Sequence, residues 1–146
     1  MSRNRAVAYG FGAIYLVVGI LGFIQVKDSF GDNFLENNTD EKLLGLFEVN
    51  GLHNVAHLLI GIALLAAARA GYRAARSANL AVGVTYALLG LIGLFIANDT
   101  SDANILSLNG IDNILHFGSA ALLIGVAMME KDHVEHDRER DRTSTI

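Results

Sequence analysis

The chain has 146 residues, of which 52% are hydrophobic and 18% charged, with a mean hydropathy of +0.39 and a formal net charge of −4. This length corresponds to one domain rather than two. The lack of Cys excludes disulfides and thiolate metal ligands. No nucleotide-binding glycine loop, hydrolase triad or nucleic-acid motif is present, so the sequence favours a non-enzymatic protein with no nucleic-acid partner.

Four long apolar segments succeed one another along the chain. Each is long enough, at ~1.5 Å per residue of helix, to cross a hydrocarbon layer of ~30 Å. The sequence therefore predicts an all-α fold, a four-transmembrane-helix bundle within residues 1–129. The predicted spans are about 6–26, 50–68, 79–97 and 110–129. Residues 130–146 are expected to form a charged cytoplasmic tail, with His133 and His136 on a solvated face.

The connecting segments differ in length and charge. Residues 27–49 are polar and acidic, and the apolar stretch 42–47 within them predicts a short interfacial helix. Residues 69–78 are expected to form a short loop with three arginines, and residues 98–108 an acidic loop that is shorter than residues 27–49.

The basic residues predict the topology. Nine of the eleven Lys and Arg lie in the leader, the 69–78 loop and the tail, and the other side of the membrane has only Lys27 and Lys42. The positive-inside rule places both termini in the cytoplasm, in a multi-pass protein of the inner (cytoplasmic) membrane. The bilayer is thus the expected partner. A homo-oligomer or a membrane-protein partner is left open.

The first and third spans resemble each other, and so do the second and fourth. Gly12, Tyr15, Gly19 and Gly22 recur as Gly83, Tyr86, Gly90 and Gly93. The chain is therefore expected to contain two helix-hairpin repeats of parallel orientation. Glycines at this spacing favour close packing of helices in lipid. The alternative is a flat glycine wall beside a planar cofactor.

One polar face opens each of the second and fourth spans. The motif Asn-Gly, aliphatic, polar, Asn, apolar, apolar, His occurs twice. Its polar members fall on one helical face, at Asn50, His53, Asn54 and His57, and again at Asn109, Asp112, Asn113 and His116. Because exposing them to lipid would be costly, both faces are expected to point into the bundle. Asn50 and Asn109 are candidate N-caps.

Three hypotheses account for these faces. In the first, Asn and His side chains hydrogen-bond between helices and fix the register of the repeats. In the second they bind a cofactor: His53, His57, Asp112 and His116 are candidate ligands of a divalent metal, or His57 and His116 are axial ligands of a haem. In the third the histidines relay protons or gate a small solute.

The chain resembles a group of small bacterial membrane proteins known as domain of unknown function 4383. The likeness covers residues 9–129 and includes Asn54-Val55-Ala56-His57-Leu58-Leu59-Ile60-Gly61, Asn113-Ile114-Leu115-His116-Phe117 and the paired Gly/Tyr spans. The resemblance implies a four-helix integral membrane protein and no particular activity. Asp112 stands where the first copy has His53, which makes the proposed metal shell asymmetric.

Overall fold

The computed structural model describes residues 1–36, 42–97 and 103–129, and most of these residues are helical. In chain order the elements are α1 (Arg3–Gln25), a 3-10 turn (Asp32–Phe34), β1 (Lys42–Leu43), β2 (Phe47–Glu48), α2 (Gly51–Ala70), α3 (Tyr72–Ile96) and α4 (Gly110–Met129). The predicted tail, with His133 and His136, lies outside the described residues.

All four helices are long and apolar enough to cross a membrane. Their outer surfaces carry large apolar side chains such as Ile20, Leu59, Leu91 and Ile114, whereas Asn and His side chains are buried. A protein in water rarely exposes so much apolar surface. This inside-out distribution fits a helical bundle surrounded by lipid, and the predicted four-helix fold is confirmed.

The helices pack as two hairpins, α1 against α2 and α3 against α4, with fewer contacts between the hairpins; among the helix pairs in contact, α1 and α4 contact each other least. Glycines lie at the contacts. A methyl group at Gly12 would lie 3.0 Å from the carbonyl oxygen of Gly61, and one at Gly83 would lie 2.7 Å from the Ile124 side chain. The glycines therefore allow close helix approach, as packing in lipid requires, and the cofactor-wall alternative has no support from these contacts.

The connection between α2 and α3 is shorter than predicted. The expected loop at residues 69–78 is wrong, because helix α2 continues to Ala70 and α3 begins at Tyr72. Only Gly71 lies between them, with a φ of 123° that a residue with a side chain rarely adopts. Arginine has a good helix propensity, so the arginines around this point do not end either helix.

A β-hairpin replaces the predicted interfacial helix at residues 42–47. Strands β1 and β2 pair antiparallel, with Leu43 opposite Phe47. The chain reverses at Leu44 and Gly45, whose φ angles of 54° and 71° are incompatible with a right-handed helix. The apolar run was too short for its periodicity to distinguish a helix from a hairpin. Leu43 is buried with Val26 and Val49, so the hairpin covers one end of the bundle.

The two ends of the bundle have different polar residues. We call the end with the β-hairpin and the starts of α2 and α4 the loop end, and the other the arginine end. At the arginine end, Arg5 donates from Nε to the carbonyl of Ala68 and Arg76 donates from Nε to that of Ala127, both at 2.8 Å. Each arginine thus ties the start of one helix to the end of its hairpin partner.

Candidate functional site

Two asparagines at the loop end begin helices and join the two hairpins. Asn50 is the N-cap of α2, where its Oδ1 accepts the backbone N–H of His53 at 2.9 Å. Asn109 does the same for α4, accepting the N–H of Asp112 at 3.1 Å. The Asn50 amide donates to the carbonyl of Ile105 at 2.9 Å, and the Asn109 amide donates to the carbonyl of Leu46 at 2.8 Å. Each cap therefore holds the loop of the other hairpin.

The position where the two motifs differ, His53 against Asp112, has a local explanation. His53 Nδ1 lies 2.9 Å from the carbonyl oxygen of Leu106, so Nδ1 carries a proton and donates it. The Asp112 carboxylate instead accepts the backbone N–H of Asn109 at 3.1 Å. With the Asn109 bond described above, this is a reciprocal capping arrangement at the start of α4. His53 anchors a loop, whereas Asp112 completes a helix cap.

Asn54 and Asn113 lie against glycines of the neighbouring helix. The carboxamide of Asn54 packs on Gly22, and that of Asn113 packs on Gly93, where any larger residue would collide with it. Within the described residues, neither the Oδ1 of Asn54 nor that of Asn113 has a hydrogen-bond partner. The same contact therefore occurs once in each hairpin and holds the helices in one register.

His57 and His116 each stack on a tyrosine in the centre of the bundle. The ring centroids of His57 and Tyr15 are 5.5 Å apart with planes inclined by 18°, and those of His116 and Tyr86 are 5.0 Å apart and inclined by 17°. The two tyrosine rings are themselves 5.5 Å apart. These four rings form a continuous aromatic cluster, which we call the His/Tyr cluster. Seven of the eight residues of the two predicted polar faces are buried, and His57 is half-buried.

The His/Tyr cluster borders a cavity of about 270 Å³ between α1, α4 and the β-hairpin. All four rings line it, as do the hydroxyl-bearing Ser119 and the carboxyl-bearing Asp112. The remaining wall is apolar, with Leu43, Leu44, Phe47 and Val49 from the hairpin end. Tyr15 donates from its hydroxyl to Ser119 Oγ at 3.2 Å. Within the part of the chain that the structure describes, no Lys or Arg lines this cavity.

Two ring nitrogens of the cluster are buried without a partner. Neither Nδ1 of His57 nor Nδ1 of His116 has a hydrogen-bond partner within the described residues. His116 is only 6% exposed. Burying a polar atom without compensation costs free energy, and native structures keep few such atoms without a reason.

The four predicted metal ligands do not form one coordination shell. Among residues 1–36, 42–97 and 103–129, no three His, Asp or Glu side chains are grouped to hold an ion. The His53 ring centroid lies 4.5 Å from that of His57 and 6.5 Å from that of His116. The metal and haem assignments therefore stay predictions.

Sequence reasoning missed part of the cavity and all of the polar contacts at the arginine end. Tyr15 and Tyr86 are repeat positions that lie between the paired glycines of α1 and α3. That position was the signal that they face the histidines. Ser119 gave no comparable signal. At the arginine end, buried Asn79 donates to Asn4 Oδ1 at 3.0 Å and Asn4 donates to the carbonyl of Val126 at 3.3 Å.

Comparison with known proteins identifies the family and leaves the activity open. No curated protein and no solved structure matches the chain. A family model described as "Domain of unknown function (DUF4383)" matches residues 5–129, which include α2, α3, α4, all but the first two residues of α1, the β-hairpin and the His/Tyr cluster. The chain belongs to this family of proteins with a domain of unknown function.

Proposed function

We propose that this protein is a small, non-enzymatic membrane protein that binds a membrane-soluble molecule in the cavity beside His57 and His116. The observation that carries the proposal is a mostly apolar cavity whose polar residues are gathered at the His/Tyr cluster. Ligand sites have this composition, a largely apolar wall with a few polar groups that orient the ligand. The partnerless Nδ1 atoms supply such groups.

The approach to the cavity is from the lipid. Ile14 of α1 and Leu115 of α4 line it and are 57% and 51% exposed, and these two helices contact each other less than any other packed pair. In a bilayer the exposed apolar faces of α1 and α4 contact acyl chains. A molecule dissolved in the membrane therefore has a lateral path to the cavity.

The asparagines have a different role in this proposal. Asn50 and Asn109 hold the loops of opposite hairpins through matched hydrogen bonds, and Asn54 and Asn113 set the helix register against glycines. The paired contacts support the proposal that the chain consists of two repeats related by a two-fold axis. The asparagines hold the helices and loops in place, and His57 and His116 line the cavity.

A co-purification experiment tests the binding function. The full chain is extracted in mild detergent, and native mass spectrometry measures any small molecule that remains bound. Ser119→Leu would fill the cavity beside Tyr15 and remove the hydroxyl, so we expect the bound molecule to be lost. Thr85→Leu is the matched control, because Thr85 is exposed and does not line the cavity. Equal amounts bound to wild type and to Ser119→Leu would contradict the proposal.

A divalent metal or haem at His57 and His116, with His53 and Asp112, is the second candidate. The His53 and His57 rings, whose centroids are 4.5 Å apart, favour it. Elemental analysis and an absorption spectrum of the same preparation decide between the two. Stoichiometric metal, or a Soret band, that disappears in His116→Ala would establish it, and the lack of both after loading would reject it.

A proton or solute conduit has less support. Buried Ala8, Leu64 and Leu123 lie between the His/Tyr cluster and the Asn4–Asn79 contact at the arginine end. A proton path needs polar groups or water along its length, and this apolar layer provides no polar side chain.

A further inference from the structure

The residues around the cavity also restrict the kind of molecule that it takes. We infer that its occupant is a membrane-soluble quinone, a neutral planar ring with carbonyl acceptors and an apolar tail. This inference rests on the proposed binding function and adds the chemical class of the ligand.

Charge excludes the commonest lipids. A phosphate or carboxylate headgroup needs a cationic partner when it leaves water. Among the described residues, however, the cavity lining includes no Lys or Arg and one carboxyl group, Asp112. An anionic phospholipid or a fatty acid would therefore leave its charge unpaired in the cavity. A headgroup without formal charge avoids this cost.

The polar groups of the cavity match carbonyl oxygens. Hydroxyls of Tyr86 and Ser119 and an imidazole N–H of His57 or His116 are donors. Tyr86 is 2% exposed, and its hydroxyl has no hydrogen-bond partner that meets ordinary geometry within the described residues. The Nδ1 atoms of both histidines likewise have no hydrogen-bond partner among the described residues. A quinone carbonyl would supply the acceptor that these donors lack.

Size and shape agree with a single ring. The cavity volume of about 270 Å³ is slightly below the 300–1,000 Å³ that is typical of ligand cavities. The cavity therefore suits a compact headgroup rather than a large cofactor. The walls contain the Tyr15, Tyr86 and Phe11 rings and two imidazoles, and flat aromatic surfaces favour a flat, offset-stacked ligand. The tail of such a molecule leaves between Ile14 and Leu115, whose exposed side chains face the acyl chains.

Binding of defined probes tests the inference. Full-length protein in phosphatidylcholine nanodiscs is titrated by calorimetry with a benzoquinone that bears a ten-carbon tail, with decylbenzene and with decanoate. We expect saturable binding of the quinone at one per chain, and much weaker binding of the other two. Loss of a single hydrogen bond in Ser119→Ala or His116→Gln should weaken quinone binding about 3- to 10-fold. Thr85→Ala, which removes an exposed hydroxyl from α3, should leave it unchanged.

The probes separate failure of the inference from failure of the proposed function. If decylbenzene binds as tightly as the quinone and Ser119→Ala has no effect, the cavity binds apolar molecules and the quinone inference is wrong. If decanoate binds more tightly than the quinone, the cavity accepts an anion and the inference of an uncharged headgroup is wrong. If no probe binds and no molecule co-purifies, the proposed function fails as well. Because the comparison of probes uses the wild-type chain, an unstable variant does not affect it.

Discussion

At the scale of single residues, the bundle depends on glycines that face polar side chains. Gly22 and Gly93 receive the carboxamides of Asn54 and Asn113, and neither site has space for a methyl group. Sequence spacing alone identified both the glycines and the asparagines. It did not show that they contact each other, because a face of a helix indicates what is buried but not which neighbour covers it.

Replacing Gly22 should therefore be costly, and replacing Gly10 should not. In Gly22→Ala the new methyl group would overlap the Asn54 side chain, and overpacking of this kind costs about 1–3 kcal/mol. Gly10 lies on the same helix with open space around it, so Gly10→Ala should be neutral or stabilising by about 0.5–1 kcal/mol. Thermal melting in mild detergent measures both. Equal melting temperatures for the two variants would contradict the close contact.

Asp112 provides a second comparison at this scale. Its carboxylate caps α4 by accepting the Asn109 N–H, so Asp112→Ala should cost about 1 kcal/mol, whereas Asp112→Asn keeps an acceptor and should cost less. The same melting measurement tests this. If Asp112→Asn destabilises as much as Asp112→Ala, the group is needed for its charge rather than for the cap.

At the scale of elements, the apolar segments were predictable and their ends were not. A run of about twenty uncharged residues has one stable form in lipid, the helix. Helix ends depend instead on caps and contacts. Helix α3 begins seven residues before its predicted span, because charged residues such as Arg73 and Arg76 are compatible with helix and Gly71 alone makes the turn. The hairpin was missed because its fold depends on a covering contact with Val26 and Val49.

Arg5 and Arg76 each donate a hydrogen bond to a carbonyl at the end of the neighbouring helix. Because Arg76 donates to a carbonyl at the end of α4, where the helix dipole favours a cation, Arg76→Met should destabilise the protein by about 1–2 kcal/mol. Arg73→Met is the control, since Arg73 is exposed on the same helix. Urea or thermal unfolding in detergent compares them. A larger effect for Arg73→Met would show that charge at this end, rather than the bond to Ala127, is what stabilises the bundle.

At the scale of the whole molecule, the orientation in the membrane is a prediction that the chain makes easy to test. It contains no Cys, so any single-cysteine variant reports from one known position. Asp32 and Ala70 are exposed at opposite ends of the bundle. If both termini are cytoplasmic, a membrane-impermeant maleimide added to intact spheroplasts should label Asp32→Cys and should label Ala70→Cys only after lysis. The reverse pattern would contradict the predicted topology.

The candidate site was only partly predictable, because part of it lies on segments without helical periodicity. The two motifs located His57 and His116 at one end of the bundle, and the structure has them beside one cavity. The apolar walls contributed by the hairpin, and the acceptor that His53 finds at Leu106, depend on segments without helical periodicity. Sequence patterns describe regular elements well, and the specificity of this site arises where those elements meet irregular ones.

The reciprocal bonds of Asn50 and Asn109 have a consequence for the order of assembly during synthesis. The carbonyls of Ile105 and Leu106, to which Asn50 and His53 donate, are synthesised after α2 and α3. The first hairpin therefore enters the membrane with His53 lacking its acceptor and with the Asn50 amide bonded only to Glu36. Completion of α4 then supplies both partners at once. We therefore expect residues 1–70 expressed alone to be short-lived in cells, and to be rescued when residues 71–146 are made as a separate chain.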